Sequence, residues 1–364
     1  MESQLDRAQQ KSKSDLRSRI RDIKSMDAAL RATLAEVNAE VAKTLSTIAE
    51  LDAHIRHVQS GPQPTAKNNL AMRTRRVGID QVADQVDGEL NQELKVVDDC
   101  LLLLGDAREK AAAELAELKS TVALLEADLQ SKAKAEHIDH RTHNLAAGIA
   151  SMGVFTQTVN HAPPGTVVPD SWFEESDGNL DRAERRVADS KAFNASIQDL
   201  IIEYHRALSN QMDATARAFQ ARINEVDAAR LKDEANIIST TEEIGAQQAN
   251  IKQLTLSIAG KHQPLQLATT RLSTRETRAG IERTTDAAHH SLVDEAEALD
   301  SAITMLEQRL QDANESLQSL VETLRDLRSD LRSKVDAIRI EKACVKFRQH
   351  SAQTNRLKPG SIAF

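Results

Sequence analysis

The sequence predicts an all-α fold: an elongated coiled-coil rod of four long helices in two duplicated halves, folded back at Pro- and Gly-bearing loops. Three observations carry this expectation. Aromatic residues make up 2% of the 364 residues, with one Trp and one Tyr, too few for the aromatic burial on which compact cores rely. Charged residues make up 28%, and Gly and Pro number only 12 and 7, a profile of long helices rather than of sheets. Apolar residues also recur in alternating steps of three and four, the spacing that keeps one seam facing a partner helix.

The elements follow in order. A first helix is expected over 1–59, with a seam of Leu16, Ile20, Ile23, Asp27, Leu30, Leu34, Val37, Val41, Thr44, Ile48, Leu51, Ile55 and Val58, eleven of thirteen apolar. SGPQPTAKNN then opens a loop over 60–80, because Pro62 and Pro64 lack the amide that a helix interior uses. A second helix over 81–151 carries Leu90, Leu94, Val97, Leu101, Leu104, Arg108, Ala111, Leu115, Leu118, Val122, Leu125, Leu129 and Lys132, again eleven of thirteen. The stretch 152–177, with three Pro before Trp172, reads as a linker.

A third helix over 178–262 is looser. Ile197, Ile201, Tyr204 and Leu208 hold one register, while Phe219, Ile223 and Val226 have slipped to another, as at a stutter. Pro264 marks a second loop over 263–288. The last helix, 289–350, has the strongest seam: from Leu292 to Ile338, thirteen of fourteen positions are apolar in a chain where 40% would be expected. A polar tail, 351–364, follows. A helix of about 60 residues is about 90 Å long, hence the expectation of a rod.

The two halves are copies. RRVGID at 75–80 and RAGIE at 278–282 align on Gly78 and Gly280, an offset of 202 residues. The same offset carries Pro62 to Pro264, Arg73 to Arg275, Arg76 to Arg278, Ile79 to Ile281, Asp84 to Asp286, and the second seam onto the last, down to Lys132 onto Lys334. Each half thus reads as helix, Pro-bearing turn, R-x-G-I-acid phrase and heptad helix. In such a joint Gly supplies a backbone conformation closed to other residues, Ile is expected to be buried as an anchor, and Arg and carboxylate make charge-assisted hydrogen bonds. The joint serves either as a plain helical connector or as a loop that meets the end of another rod. The candidate self-association residues are Arg76, Gly78, Ile79, Asp80 and Asp84, with Arg278, Gly280, Ile281, Glu282 and Asp286.

Catalytic chemistry finds little support. No G-x-x-x-x-G-K-[ST] or G-x-S-x-G occurs. His137, His140 and His143 do not share one helix face, so a solvated surface is expected and no metal site. No catalytic residue, metal or cofactor is expected. A net charge of −8 argues against nucleic acid as partner, and MESQLDRAQQ has no apolar core for a signal peptide. The longest aliphatic run, Cys100–Leu104, is too short to span a bilayer, so a soluble intracellular protein with free thiols at Cys100 and Cys344 is expected. The basic runs MRTRR and RLSTRETR lie at the two joints, where carboxylates of a neighbouring rod are the favoured partners. Trp172 beside a Pro-rich bend reads as packed on the chain's own helices, with an exposed partner anchor as the alternative.

RAGIERTTD at 278–286 resembles the nonapeptide R-P-N-V-E-L-C-R-D of the tektins, keeping Arg278, Glu282 and Asp286 with Ile281 for Val, and departing at Ala279, Gly280, Arg283, Thr284 and Thr285. RRVGIDQVADQVDGEL (75–90), VVPDSWF (167–173), LEQRLQDANESLQSLVETLRDL (306–327) and IRIEKAC (338–344) are similar to further tektin segments. The resemblance implies a non-enzymatic, filament-forming coiled-coil protein of the cytoplasm and cytoskeleton, in the ciliary or flagellar axoneme. It implies end-to-end assembly inside doublet microtubules, with tubulin at the A-tubule lumen, other copies of itself or other tektins, and other microtubule inner proteins as partners. The alternatives are a cytoplasmic coiled-coil scaffold and a membrane-associated helical module, the latter disfavoured by the acidic total.

Overall fold

A computed structural model of the chain describes residues 2–145 and 169–354. The described residues contain five α-helices and no strand: α1 (Glu2–Ser60), α2 (Pro62–Arg73), α3 (Gln85–His143), α4 (Pro169–Glu276) and α5 (Ala287–Thr354). Short 3-10 turns lie at Gly78–Asp80 and Gly280–Glu282. The all-α reading therefore holds, and α4 alone, at 108 residues, has a contour of about 160 Å. None of these helices is long and apolar enough to cross a membrane.

Several expected boundaries are corrected. Residues 62–73 are helical, because Pro62 opens α2 and Pro64 lies within its first turn, where amides have no intrahelical partner to lose. Pro264 lies inside α4, which continues to Glu276. It faces solvent, as does Gly260 four residues before it, so water can serve the carbonyl that lacks an amide donor. The start of α4 takes in 169–177 of the expected linker, and α5 runs into the expected tail as far as Thr354. The remaining linker and tail residues, 152–168 and 355–364, lie outside the described residues.

The chain divides into two compact units. The first comprises Met1–Lys67, Asn91–Asp213 and His350–Phe364; the second comprises Asn68–Leu90 and Ala214–Gln349. In the first unit α1 and α3 run antiparallel, as the pairs Arg17 with His143 (3.0 Å), Lys24 with Glu136 (3.5 Å) and Asp52 with Arg108 (2.7 Å) show. The leading part of α4 lies parallel to α1. Ser190 donates to Glu40 at 3.3 Å, Asn194 to Thr44 at 3.3 Å, and Tyr204 meets His54 at 2.5 Å, each 150 residues apart. These three helices bury Leu30, Val37, Leu51, Leu104, Leu118 and Leu125 to 1% exposure or less. The expected seams are the buried ones: along α3 only Arg108 of the thirteen positions is exposed.

Lys132 and Lys334, which interrupt the apolar seams, are buried cations with partners. Lys132 Nζ donates to Asp128 at 2.7 Å and to Ser176 at 2.5 Å, and Lys334 meets Asp233 at 2.7 Å. Trp172 is packed on its own unit, with the Arg19 guanidinium 3.8 Å and the Lys132 ammonium 4.6 Å from its ring. Cys100 and Cys344 are free and buried.

The second unit pairs the rest of α4 with α5, antiparallel, through Val226 with Ala337 and Ile338, Asp233 with Lys334, and Gln247 donating to the Ala313 carbonyl at 3.0 Å. Two helices enclose less than three. Of the fourteen α5 seam residues none is exposed, but only Ile303, Ala313, Lys334 and Ile338 are fully buried. The register slip in α4 falls between Leu208 and Phe219, where the helix passes from one unit to the other and its buried face changes partners.

Candidate functional site

The two glycine phrases build joints on the same plan. In the first, the end of α2 tightens through Arg75 N–H to Met72 O (3.2 Å) and Arg76 N–H to Arg73 O (3.1 Å). Val77 is extended, and Gly78 takes φ +63°, a left-handed conformation costing an L side chain about 1–2 kcal/mol. Gln81 N–H then closes the 3-10 turn on Gly78 O at 3.2 Å. Asp84 caps α3: its carboxylate accepts the amides of Val86 (2.9 Å) and Asp87 (3.3 Å), and Asp87 accepts the Asp84 amide in return (3.3 Å).

At the offset of 202, Thr277 N–H donates to Thr274 O (3.2 Å) and Arg278 N–H to Arg275 O (3.3 Å). Ala279 is extended, Gly280 takes φ +60°, and Arg283 N–H closes the turn on Gly280 O at 3.3 Å. Asp286 caps α5, accepting the His289 amide at 2.9 Å. Arg73 and Arg76 bind Asp84 at 2.6 and 2.8 Å. Arg275 likewise binds Asp286, with Arg278 at 3.8 Å. The joint is thus a helix end, one glycine and a capping carboxylate clamped by two guanidiniums.

The surroundings of the two differ. The first joint is enclosed within its unit, with Arg73 2% and Arg76 5% exposed. Glu341 of α5 reaches Arg73 at 3.1 Å and Arg76 at 3.6 Å; Arg222 of α4 reaches Asp80 at 3.1 Å and Asp84 at 3.3 Å. The Phe219 ring lies 5.7 Å from the Arg73 guanidinium, and a Cβ on Gly78 would stand 2.8 Å from the Ser333 hydroxyl. Among the described residues the second joint has no such cover: a Cβ on Gly280 would meet nothing within 4 Å, and Ile281 is 92% exposed.

The electrostatics match this geometry. Burial favours the neutral acid at Asp84, but the Arg73 and Arg76 guanidiniums outweigh it and hold the carboxyl below its usual range. Burial pushes Glu341 up, with Arg73 and Arg76 opposing. The Arg275 hydrogen bond, then the His289 amide, hold Asp286 low. Burial, with Glu341 nearby, pushes the Cys344 thiol up to about 12, which leaves it an inert protonated group.

Of the ten candidate residues, Arg76, Gly78, Asp80 and Asp84 meet in one cluster, and Arg278, Gly280 and Asp286 in its twin. The expectation that the isoleucines anchor the loops is corrected: Ile79 is 55% exposed and Ile281 more so. The 3-10 turn points both outward, and the arginine–aspartate clamp does the anchoring. Glu282 is exposed beside Ile281. Sequence reasoning left out Arg73 and Arg275 as site residues, though the offset aligned them, and it missed Arg222 and Glu341, which reach the first joint from more than 130 residues away in the chain. No group of three or more His, Cys, Asp or Glu suited to a metal ion occurs among the described residues.

The sequence profile of the Tektin family matches residues 1–352. Tektin-B1 of Strongylocentrotus purpuratus is 32% identical over 298 residues, covering 82% of this chain and 74% of its own length. Tektin-4 of Xenopus laevis is 28% identical over 314 residues, covering 85% and 69%. A match along nearly the whole chain, loops included, goes beyond what shared heptads produce, and the chain belongs to the tektin family of structural proteins.

Proposed function

We propose that this chain forms filaments that stabilise ciliary and flagellar doublet microtubules from the lumen, assembling end to end with copies of itself or other tektins. On this reading its other partners are tubulin at the A-tubule lumen and further microtubule inner proteins, and it carries no catalytic activity. The observation that carries it is the contrast between the joints: one has its arginine–aspartate clamp covered by its own unit, and its twin presents Arg278, Ile281 and Glu282 at the surface. A loop so rigidly built, yet left open, suits a surface completed on assembly.

The test is sedimentation of the protein with salt-washed doublets. Retention with the doublets, released only when they are solubilised, is the expected result. A pool that stays soluble or floats with liposomes, with none on the doublets, contradicts the reading in favour of a cytoplasmic scaffold or a membrane module.

A further inference from the structure

We propose that the joint around Gly280 is completed by a second copy of this chain, whose α1 and α3, near residues 17–24 and 131–143, take the places that α4 and α5 take around Gly78. The proposal rests on the end-to-end reading above and names the surface that the loop meets.

The first joint supplies the template. Its loop sits where α4, at residues 219–226, runs beside α5, at residues 333–344. Shifting those positions back by 202 leads to residues 17–24 of α1 and 131–142 of α3. The structure brings those two segments together in the same register: Val226 with Ile338 becomes Lys24 with Glu136, an observed pair at 3.5 Å, and Arg17 meets His143 beside it at 3.0 Å. The platform that receives one loop therefore exists twice, as the loop itself does.

Charge points the same way. In the first joint the two guanidiniums share three carboxylates, Asp84, Asp87 and Glu341. In the second, Arg275 and Arg278 share Asp286, and the position equivalent to Asp87 is His289. The position equivalent to Glu341 is Asp139, an acid that is not fully buried and lies on the α3 platform. Glu282 stands where Asp80 takes Arg222; the equivalent position on α1 is the buried Ile20, with Arg17 three positions before it and Arg21 one after as the nearby cations. A second copy thus brings a carboxylate to the arginine pair and cations to Glu282.

The experiment compares the purified chain with D139R, R278E and the D139R/R278E double variant by sedimentation velocity over a concentration series, with circular dichroism to confirm equal helicity. The wild type is expected to self-associate, each single variant to associate about tenfold or more weakly because a charge pair becomes a repulsion, and the double variant to recover. D139N is expected to lose less than D139R, in the same direction. Self-association in the wild type with D139R and R278E indistinguishable from it overturns this proposal and leaves the end-to-end reading standing, as does a double variant no better than the singles. A wild type that remains monomeric at every concentration overturns both.

Discussion

Arg73 donates to Asp84 at 2.6 Å from a side chain that is 1% exposed, and 202 residues later Arg275 makes the same bond to Asp286, a carboxylate that is 45% exposed. One bond in two environments separates what a joint needs in order to form from what it needs in order to be covered. The local sequence forms it in both places: helix end, glycine, capping aspartate. Among the described residues the first alone is covered, by Glu341 and Arg222.

Arg73→Met removes one of the two buried guanidiniums and leaves Asp84, Asp87 and Glu341 with Arg76 alone. The expected loss is at most about 3–5 kcal/mol, the scale for breaking a buried pair from one side. Arg275→Met leaves the melting temperature close to that of the wild type, because solvent reaches Asp286. Thermal unfolding followed by helical circular dichroism distinguishes the two, and equal losses would contradict the difference in burial.

Alanine at either glycine is strained by the positive φ, about 1–2 kcal/mol each. At Gly78 the new Cβ also meets the Ser333 hydroxyl at 2.8 Å, whereas at Gly280 it meets nothing. Gly78→Ala is therefore expected to destabilise more than Gly280→Ala. Adding Ser333→Ala is expected to recover part of the Gly78→Ala loss and none of the Gly280→Ala loss, as read in a double-mutant cycle of denaturant midpoints.

Leu118 and Leu320 are equivalent seam positions in the two halves, yet Leu118 is fully buried among three helices and Leu320 half-buried between two. Leu118→Ala is expected to cost about 2–5 kcal/mol, and Leu320→Ala about 1 kcal/mol. Leu317→Asp with Leu324→Asp is still expected to lower the melting temperature sharply, since both are half-buried seam positions where an unpaired charge is costly. Unchanged melting of that double variant would contradict the α5 seam.

Acid weakens the first unit through His54. It is 1% exposed, its Nδ1 lies 2.5 Å from the Tyr204 hydroxyl, and burial, then His205 and His57, pushes its pKa down to about 4. The unfolded chain takes up the proton at about pH 6.5, so between those values the unfolded state binds more protons and stability falls as pH falls. Stability is full above about 6.5 and declines towards 4, by at most about 3 kcal/mol. His205 is lowered too, with the same sign, while the raised Glu341 acts in the opposite direction. H54Q is expected to flatten the decline relative to the wild type measured in parallel; a decline of unchanged depth would place its origin elsewhere.

Much of this was legible in the sequence because heptads and glycine phrases are local signals. The spacing of Leu90, Val97, Leu104 and Leu118 states which side of α3 is buried, and Gly78 and Gly280 mark left-handed turns that favour glycine. Pro62 and Pro264 misled because proline excludes a helix interior only where its missing amide matters, at neither the first turn of α2 nor the solvent-facing side of α4. Ile79 misled because an apolar side chain in a tight turn points wherever the turn aims it. Glu341 and Arg222 left no trace, since nothing in a heptad tells which charged residue at a helix end will face a loop that is distant in the chain. The slip between Leu208 and Phe219 was visible, but its cause, a change of packing partners along one unbroken helix, required the structure.

The central claim, that the loop at 278–286 is an assembly joint and not a connector, is tested most directly by deleting those nine residues, bridging α4 and α5 with a short flexible linker, and measuring filament length by electron microscopy. The account predicts helicity and melting close to the wild type with short or absent filaments. Filaments of wild-type length from that deletion would contradict it.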